Sequence, residues 1–293
     1  MSFNQVYFTI PQIIIMGSLL NLDLVIGRMN LPLLSLFALI AAFGAFIACG
    51  GKNDAGTTIK VMAASSLTEA FQELAEEFEA GHPGDIVRLE FGGSQRLRSQ
   101  LAFGAEADVF ASADHRQMDL LLAAGLAATP VKIFAENTMT VIASAQSEVR
   151  RLEDLVKPDV RLVLAQTVVP AGVYSHQMLK NLAQDQTLGL GELYEKSIHR
   201  NLVSEESNVR GVGPKVALAE ADAGVVYRTD VPVARSIGDI LVIETPSSSD
   251  VIAEYPIATL TNTEAPELAH EFVAFVLSDA GRSVLSDHGF ALP

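Results

Sequence analysis

The sequence predicts an α/β protein built from two lobes. Its 293 residues are more than one small core requires, and a hydrophobic fraction of 49% with a charged fraction of 19% is typical of a packed globular chain. From Thr58 onward, short β-rich runs alternate with stretches of helical periodicity, which is the pattern of α/β layers with a mostly parallel sheet. Ligands of such sheets bind beyond the carboxyl ends of the strands, so we expect functional residues there.

The predicted elements follow in chain order. A strand at residues 59–63 precedes an amphipathic helix at 67–80, whose apolar residues, including Phe71, recur on one face. Further strands are predicted at 86–91, 108–112, 138–143, 161–165, 223–227, 240–244 and 255–260. Helices occupy most of the intervals between them. A last helix is predicted near 267–286, and Gly289 lies just beyond its end.

The N-terminal region has the features of a targeting segment. Residues 33–48 form an uncharged apolar run that ends in small residues and is followed by Cys49. This arrangement resembles the bacterial lipobox, in which the chain is cleaved before a cysteine that then receives lipid. We therefore predict a leader at 1–49, lipidation of Cys49 and a flexible tether at 50–57. A single transmembrane anchor is the alternative, and either reading places the globular part outside the cytoplasmic membrane. Three start codons fit this organisation: Met1, Met16 and Met29.

Charge and cysteine content exclude several functions. The formal net charge is −15, and the leader carries one Arg and one Asp, so the acidity belongs to the folded part. Nucleic-acid binding needs a basic face and is not expected. A bound anion would have to be held by local donors, because the net charge repels it. The single cysteine excludes a disulfide within the chain and a cysteine metal site.

The sequence lacks the motifs of an enzyme. The six histidines are scattered without metal-site spacing, and neither a G-x-S-x-G elbow nor a complete P-loop occurs. Ser175 and His176 are neighbours on a predicted helix, so their side chains point apart, and we assign both to the surface. A pyrrole-assembling deaminase on a related two-lobed scaffold would need a cysteine for its cofactor, and the single cysteine lies in the leader. We expect no catalytic residue, no cofactor and no direct protein–metal ligand.

Two serines stand where a predicted strand meets a predicted helix. Ser66, followed three residues later by Glu69, matches a capping box, and a plain helix cap is the alternative role. Ser94 follows Gly92 and Gly93, where the backbone can approach a ligand closely. Because helix N-termini favour negative charge, the two serines together indicate an anion cradle.

Two further segments enter helices. Residues 169–174 lead into a helix that runs to about Ala183, and Asn208 is a suitable N-cap for the next segment. Two glycines and Pro214 follow Asn208 closely, so we expect that second helix to begin irregularly or to bend.

Taken in order, these segments resemble the molybdate-binding proteins of bacterial ABC importers. The resemblance covers Ile59 to Pro293 and runs through six motifs, at residues 64–68, 92–94, 107–114, 169–172, 208–210 and 221–227. In that family the oxyanion is held by two serine hydroxyls with their amides, by two further backbone amides and by a tyrosine hydroxyl. The matching positions here are Ser66, Ser94, Ala171, Val209 and Tyr227.

The resemblance implies a type II periplasmic-binding-protein fold with the ligand in the cleft between the lobes. Lobe I would comprise residues 58–138 and 245–293, and lobe II residues 139–244. The expected function is extracytoplasmic capture of molybdate or tungstate by a monomer anchored at the outer face of the cytoplasmic membrane or in the periplasm. Its expected partners are an ABC permease and ATPase. A receptor for sulfate, thiosulfate or a small organic solute is the alternative.

Overall fold

The computed structural model describes residues 56–191 and 193–293, which belong to one compact unit. The predicted leader, the lipidation at Cys49 and most of the tether lie outside the described residues. A search of these described residues finds no helix with the length and apolar character needed to cross a membrane.

Nine strands are described, and eight of them coincide at least in part with a predicted strand. They are β1 (Thr58–Ala64), β2 (Ile86–Gly92), β3 (Val109–Ala111), β4 (Lys132–Ser144), β5 (Leu162–Ala165), β6 (Leu202–Glu206), β7 (Ala223–Tyr227), β8 (Ile240–Ile243) and β9 (Ile252–Thr259). The prediction missed β6. It also began β4 six residues late, at 138 instead of Lys132.

The strands follow the order β2-β1-β3-β9-β4-β7-β5-β6, and β8 also pairs with β4. The first half of β4, to Thr138, pairs with β9. We term β1, β2, β3, β9 and this half of β4 the first sheet. The second half, from Met139, lies between β7 and β8, which belong with β5 and β6 to the second sheet. The division of the chain into lobes at 138/139 and 244/245 stays a prediction.

The strand directions correct the expectation of a mostly parallel sheet. Pairings around β1 and β5 are parallel, whereas every pairing of β4 and β9 is antiparallel. The reason is that β4 and β9 carry the chain between the two sheets. They run against the strands of the sheets that they enter.

The helices occupy most of the predicted intervals. They are α1 (Thr68–Gly81), α2 (Ser94–Ala102), α3 (His115–Ala123), α4 (Pro170–Gln184), α5 (Leu193–Asn201), α6 (Val212–Ala217), α7 (Val231–Ile237), α8 (Pro266–Val276) and α9 (Asp279–Asp287). The predicted single C-terminal helix is wrong, because it is divided into α8 and α9. Ser278 causes the division: its hydroxyl accepts a hydrogen bond from the Gly281 amide at 3.3 Å and starts a new helix.

The apolar face predicted for α1 is buried against the first sheet. Phe71 packs edge-on against Phe134 of β4, with ring centroids 5.7 Å apart, and Phe78 packs against Phe272 of α8 at 5.3 Å. All four rings are no more than 1% exposed. This packing fixes the N-terminal end of α1 at the carboxyl end of β1, where functional residues are expected.

Candidate functional site

The five residues predicted to bind an oxyanion line one small cavity. Each is at most 3% exposed, and the space between them, counted together with its opening to solvent, is about 190 Å³. Ser66 and Ser94 come from segments that follow strands of the first sheet. The other three, Ala171, Val209 and Tyr227, come from segments that follow or end strands of the second sheet.

Ser66 lies in a 3-10 turn, Ser65–Leu67, between β1 and α1. The predicted capping box with Glu69 is wrong, because the N-cap position of α1 is Leu67 and no side chain caps it. The extra 3-10 turn shifts the helix start and frees the Ser66 hydroxyl for another partner. Its Oγ is hydrogen-bonded to Tyr255 Oη at 3.0 Å.

Ser94 is the first residue of α2 and follows the N-cap Gly93. Its hydroxyl accepts a hydrogen bond from the Ala113 amide at 3.0 Å, so its own proton is free to be donated elsewhere. A side chain at Gly93 would bring its Cβ within 2.7 Å of the Ser207 carbonyl oxygen. Glycine therefore allows the two sides of the cavity to approach.

The Ala171 and Val209 amides lie at the starts of helical segments, and no acceptor outside those segments is found for either one in the described part of the chain. Ala171 is the second residue of α4 after Pro170, and Val209 begins a 3-10 turn whose N-cap is Asn208. Amides in a first turn have no partner inside the helix. The predicted cap is confirmed, because Asn208 Oδ1 accepts from the Arg210 amide at 2.9 Å. The irregular start is confirmed too, because this 3-10 turn precedes the short helix α6.

Tyr227 ends β7 and places its ring between two other tyrosines. The centroid of its ring lies 5.9 Å from that of Tyr255 and 6.5 Å from that of Tyr174. Its hydroxyl is buried and makes no hydrogen bond to any described residue. Burial holds the pKa of Tyr227 well above its usual value, so the hydroxyl keeps its proton. A buried O–H without an acceptor costs free energy, which a ligand oxygen would recover.

Charged groups lie beside the cavity but do not line it. Arg210 forms ion pairs with Glu69 and, at 3.0 Å between Nε and Oδ1, with Asp230. Burial raises the pKa of Asp230 to about 7, against the opposing effect of Arg210. The sequence did not indicate these contacts or the role of Tyr255. For the ion pairs of Arg210, the one signal in the sequence was that Arg210 directly follows Val209, whose amide is a predicted donor.

A second correction concerns Ser175, which was assigned to the surface together with His176. Ser175 is fully buried in α4, and its hydroxyl donates to the Ala171 carbonyl at 2.6 Å. It thus supports the first turn of the helix that carries a predicted donor. His176 is partly buried and stacks on His199 with ring centroids 5.1 Å apart. Within the described residues, no group of three or more His, Cys, Asp and Glu side chains is arranged to hold a metal ion.

Comparison with known proteins identifies the family. Residues 59–291 match the family model of the bacterial extracellular solute-binding proteins. The chain belongs to this family. Solute-binding proteins of this kind include the molybdate-binding protein ModA of Mycobacterium tuberculosis, which is 39% identical over 259 residues, or 84% of this chain and 93% of the relative. The ModA protein of Haemophilus influenzae is 29% identical over 270 residues, covering 89% and 98%.

A solved structure shows the same fold. The periplasmic molybdate-binding protein of Azotobacter vinelandii superposes with a TM-score of 0.66 at 21% identity, over 80% of this solute-binding protein and 99% of the other chain. The predicted two-lobed α/β fold and the resemblance to molybdate-binding proteins are therefore both confirmed. The role of each of the five residues in ligand binding stays a prediction.

Proposed function

We propose that this solute-binding protein captures molybdate or tungstate through Ser66, Ser94, Ala171, Val209 and Tyr227. The observation that carries the proposal is the buried hydroxyl of Tyr227, which has no partner among the described residues and lines the cavity to which the four other donors contribute. The names of the Mycobacterium and Haemophilus relatives support the choice of molybdate.

The donor set suits a fully deprotonated dianion. Backbone amides and hydroxyls carry no net charge, and helix N-termini add favourable dipoles, so the anion is held without a balancing cation. A ligand that brings its own proton, such as hydrogen phosphate, would place one donor against another and leave it unpaired. No cofactor and no catalytic step are part of the proposal, and the metal of the ligand contacts the protein through its oxygens.

The proposed role in transport follows from the family. As an extracellular solute-binding protein, the chain would act as an exported monomer that delivers its ligand to an ABC permease and its ATPase. Lipidation of Cys49 would hold it at the outer face of the cytoplasmic membrane. In a Gram-negative cell it would face the periplasm.

Thermal unfolding with different oxyanions tests the ligand. The chain from residue 50 is heated with molybdate, tungstate, sulfate or hydrogen phosphate in equal excess, and without ligand. Ligand at about 100 times its Kd stabilises a fold by roughly 2.7 kcal/mol, which should raise the Tm by about 5 °C. We expect this shift with molybdate and tungstate alone. A shift with sulfate alone would change the ligand but keep the mechanism, and no shift with any oxyanion would favour an organic solute.

A further inference from the structure

Tyr255 contacts the site residue Ser66 but does not itself line the cavity. It lies on β9, is fully buried, and its Oη is 3.0 Å from Ser66 Oγ. Its ring is held by edge-on contacts with Phe290 and Phe134, at centroid distances of 5.5 and 6.2 Å. The hydroxyl of Tyr255 therefore has a fixed position, and rotation of its O–H bond is its main remaining freedom.

The direction of the hydrogen bond follows from the surroundings of Tyr255. Either hydroxyl could donate, and Ser66 Oγ lies 3.0 Å from Tyr255 Oη. The neighbouring side chains of Asn137 and Tyr227 lower the pKa of Tyr255, which is the effect of donors toward its oxygen, so neither offers an acceptor for the Tyr255 proton. If Ser66 donated, the buried proton of Tyr255 would be left without an acceptor, which is costly. Burial also raises the pKa of Tyr255, so the hydroxyl is protonated at neutral pH. Tyr255 is thus the donor and Ser66 Oγ the acceptor.

This direction decides what Ser66 offers to the cavity. With one lone pair of its oxygen occupied by Tyr255, the Ser66 proton is free to point at a ligand, and a donor whose oxygen accepts a hydrogen bond is itself strengthened. Ser94 has the same arrangement, because its Oγ accepts from the Ala113 amide. Both serine hydroxyls are therefore turned into donors by a buried group behind them.

We propose that Tyr255 is a positioning residue that sets the specificity of the site: it donates to Ser66 Oγ, directs the Ser66 proton into the cavity, and so disfavours oxyanions that carry a proton. This inference rests on the proposed oxyanion-binding function. It adds a residue that does not line the cavity and that acts through Ser66.

A double-mutant cycle tests the inference. Molybdate affinity is measured by calorimetry for the chain from residue 50 and for Tyr255→Phe, Ser66→Ala and the double variant. We expect Tyr255→Phe to weaken binding roughly 5- to 20-fold, which is the size of one lost hydrogen bond. In the Ser66→Ala background the same change should have little further effect, because Tyr255 acts through the serine hydroxyl.

Competition between hydrogen phosphate and molybdate distinguishes a role in specificity from a purely structural role of Tyr255. A purely structural role would leave the preference between the two anions unchanged. In Tyr255→Phe both lone pairs of Ser66 Oγ are available, so this oxygen accepts more readily from a protonated ligand, and we expect phosphate to displace molybdate more readily than from the parent chain. Tyr194→Phe is the matched control, since the Tyr194 hydroxyl donates to the Leu152 carbonyl at 3.0 Å, away from the cavity.

The inference would be overturned if Tyr255→Phe weakened molybdate binding equally in the parent chain and in Ser66→Ala. It would also be overturned if Tyr255→Phe left the molybdate affinity of the parent chain unchanged. Failure of the parent chain to bind any oxyanion would instead overturn the proposed function. The two failures are therefore distinguishable.

Discussion

Arg210 and Glu69 form a bidentate ion pair beside the cavity. Arg210 Nη1 donates to Glu69 Oε1 at 2.8 Å, and Nη2 donates to Oε2. Glu69 is in the first turn of α1, three residues after Ser66, whereas Arg210 directly follows Val209. The pair thus connects the segment that offers a serine hydroxyl from the first sheet with the segment that offers an amide from the second.

The first prediction is that Glu69→Gln weakens oxyanion binding. The change removes the charge of a pair that joins both sides of the cavity, so the bound form should lose more stability than the free form. Because the Glu69 side chain is 40% exposed, solvent screens the pair, and we expect only a roughly 3- to 10-fold weaker Kd, mainly through faster dissociation. Stopped-flow measurement of molybdate release checks this.

Asp222→Asn is the control, because Asp222 pairs with Arg161 at 2.8 Å at the start of β7, whereas the cavity lies at the end of that strand. Equal dissociation rates for the two variants would contradict a role for the Arg210 pair in binding.

The second prediction separates binding from stability at Tyr227. Tyr227→Phe removes a buried hydroxyl that has no partner within the described residues, so the ligand-free protein should be as stable as the parent chain or slightly more stable. Molybdate affinity should fall about tenfold or more. Tyr194→Phe should behave oppositely and lose about 1 kcal/mol of stability with unchanged affinity. Denaturant unfolding and calorimetry measure both quantities. A clear loss of ligand-free stability in Tyr227→Phe would refute the prediction.

The third prediction concerns the close approach of α4 to β5. A Cβ at Gly172 would lie 2.0 Å from the Gln166 carbonyl oxygen and 2.6 Å from that of Ala165, so Gly172→Ala must push the start of α4 away. We expect a loss of about 3 kcal/mol or more in stability, and weaker binding, since α4 carries the Ala171 amide.

The matched control is Gly81→Ala at the end of α1, where an added Cβ meets no atom within 4 Å. Its stability should be unchanged or slightly higher. Similar unfolding midpoints for the two alanine variants would show that the steric argument fails.

The fourth prediction is a pH dependence at Asp154. A hydrogen bond from Lys157, together with the amides of Arg150 and Arg151, lowers the pKa of Asp154 to about 2 against the effect of burial. A lowered folded-state pKa means that Asp154 stabilises the fold above its ordinary value near 3.8 and that this contribution is lost as the pH falls toward 2.

Asp154→Asn should therefore cost about 1–2 kcal/mol at pH 7. The difference from the parent chain should shrink between pH 4 and pH 2. Urea unfolding at several pH values measures it, and a difference that stays constant over this range would exclude the ionised carboxylate as the cause.

Most of the fold follows from periodicity, because its strands and helices are strongly patterned. Strand β6 was missed for a physical reason. It lies at the edge of the second sheet, and none of its five residues is buried. Its sequence therefore does not need the alternation of apolar and polar residues by which strands are predicted. The break between α8 and α9 depends on one serine within a continuous apolar pattern. The sequence pattern alone does not show this break, because it depends on the hydrogen bond from the Gly281 amide to Ser278 Oγ.

At the site, the sequence predicted which residues line the cavity but not what lies behind them. Glycine, serine and helix-start signals are local, so they located Ser66 and Ser94. The contacts of Tyr255 and Arg210 are separated from their partners by 189 and 141 positions in the chain. No local pattern encodes such pairs.

The path of β4 through both sheets has a mechanical consequence. The chain crosses between the sheets only twice among the described residues, once within β4 near Thr138 and once in the stretch from β8 to β9. Two crossings define a line, and rotation about that line changes the backbone at fewer positions than any other relative motion of the sheets. We therefore expect an opening of the cavity to be a rotation with its main torsion changes at these two places. Stiffening either one would change how often the protein opens while leaving every donor atom unchanged.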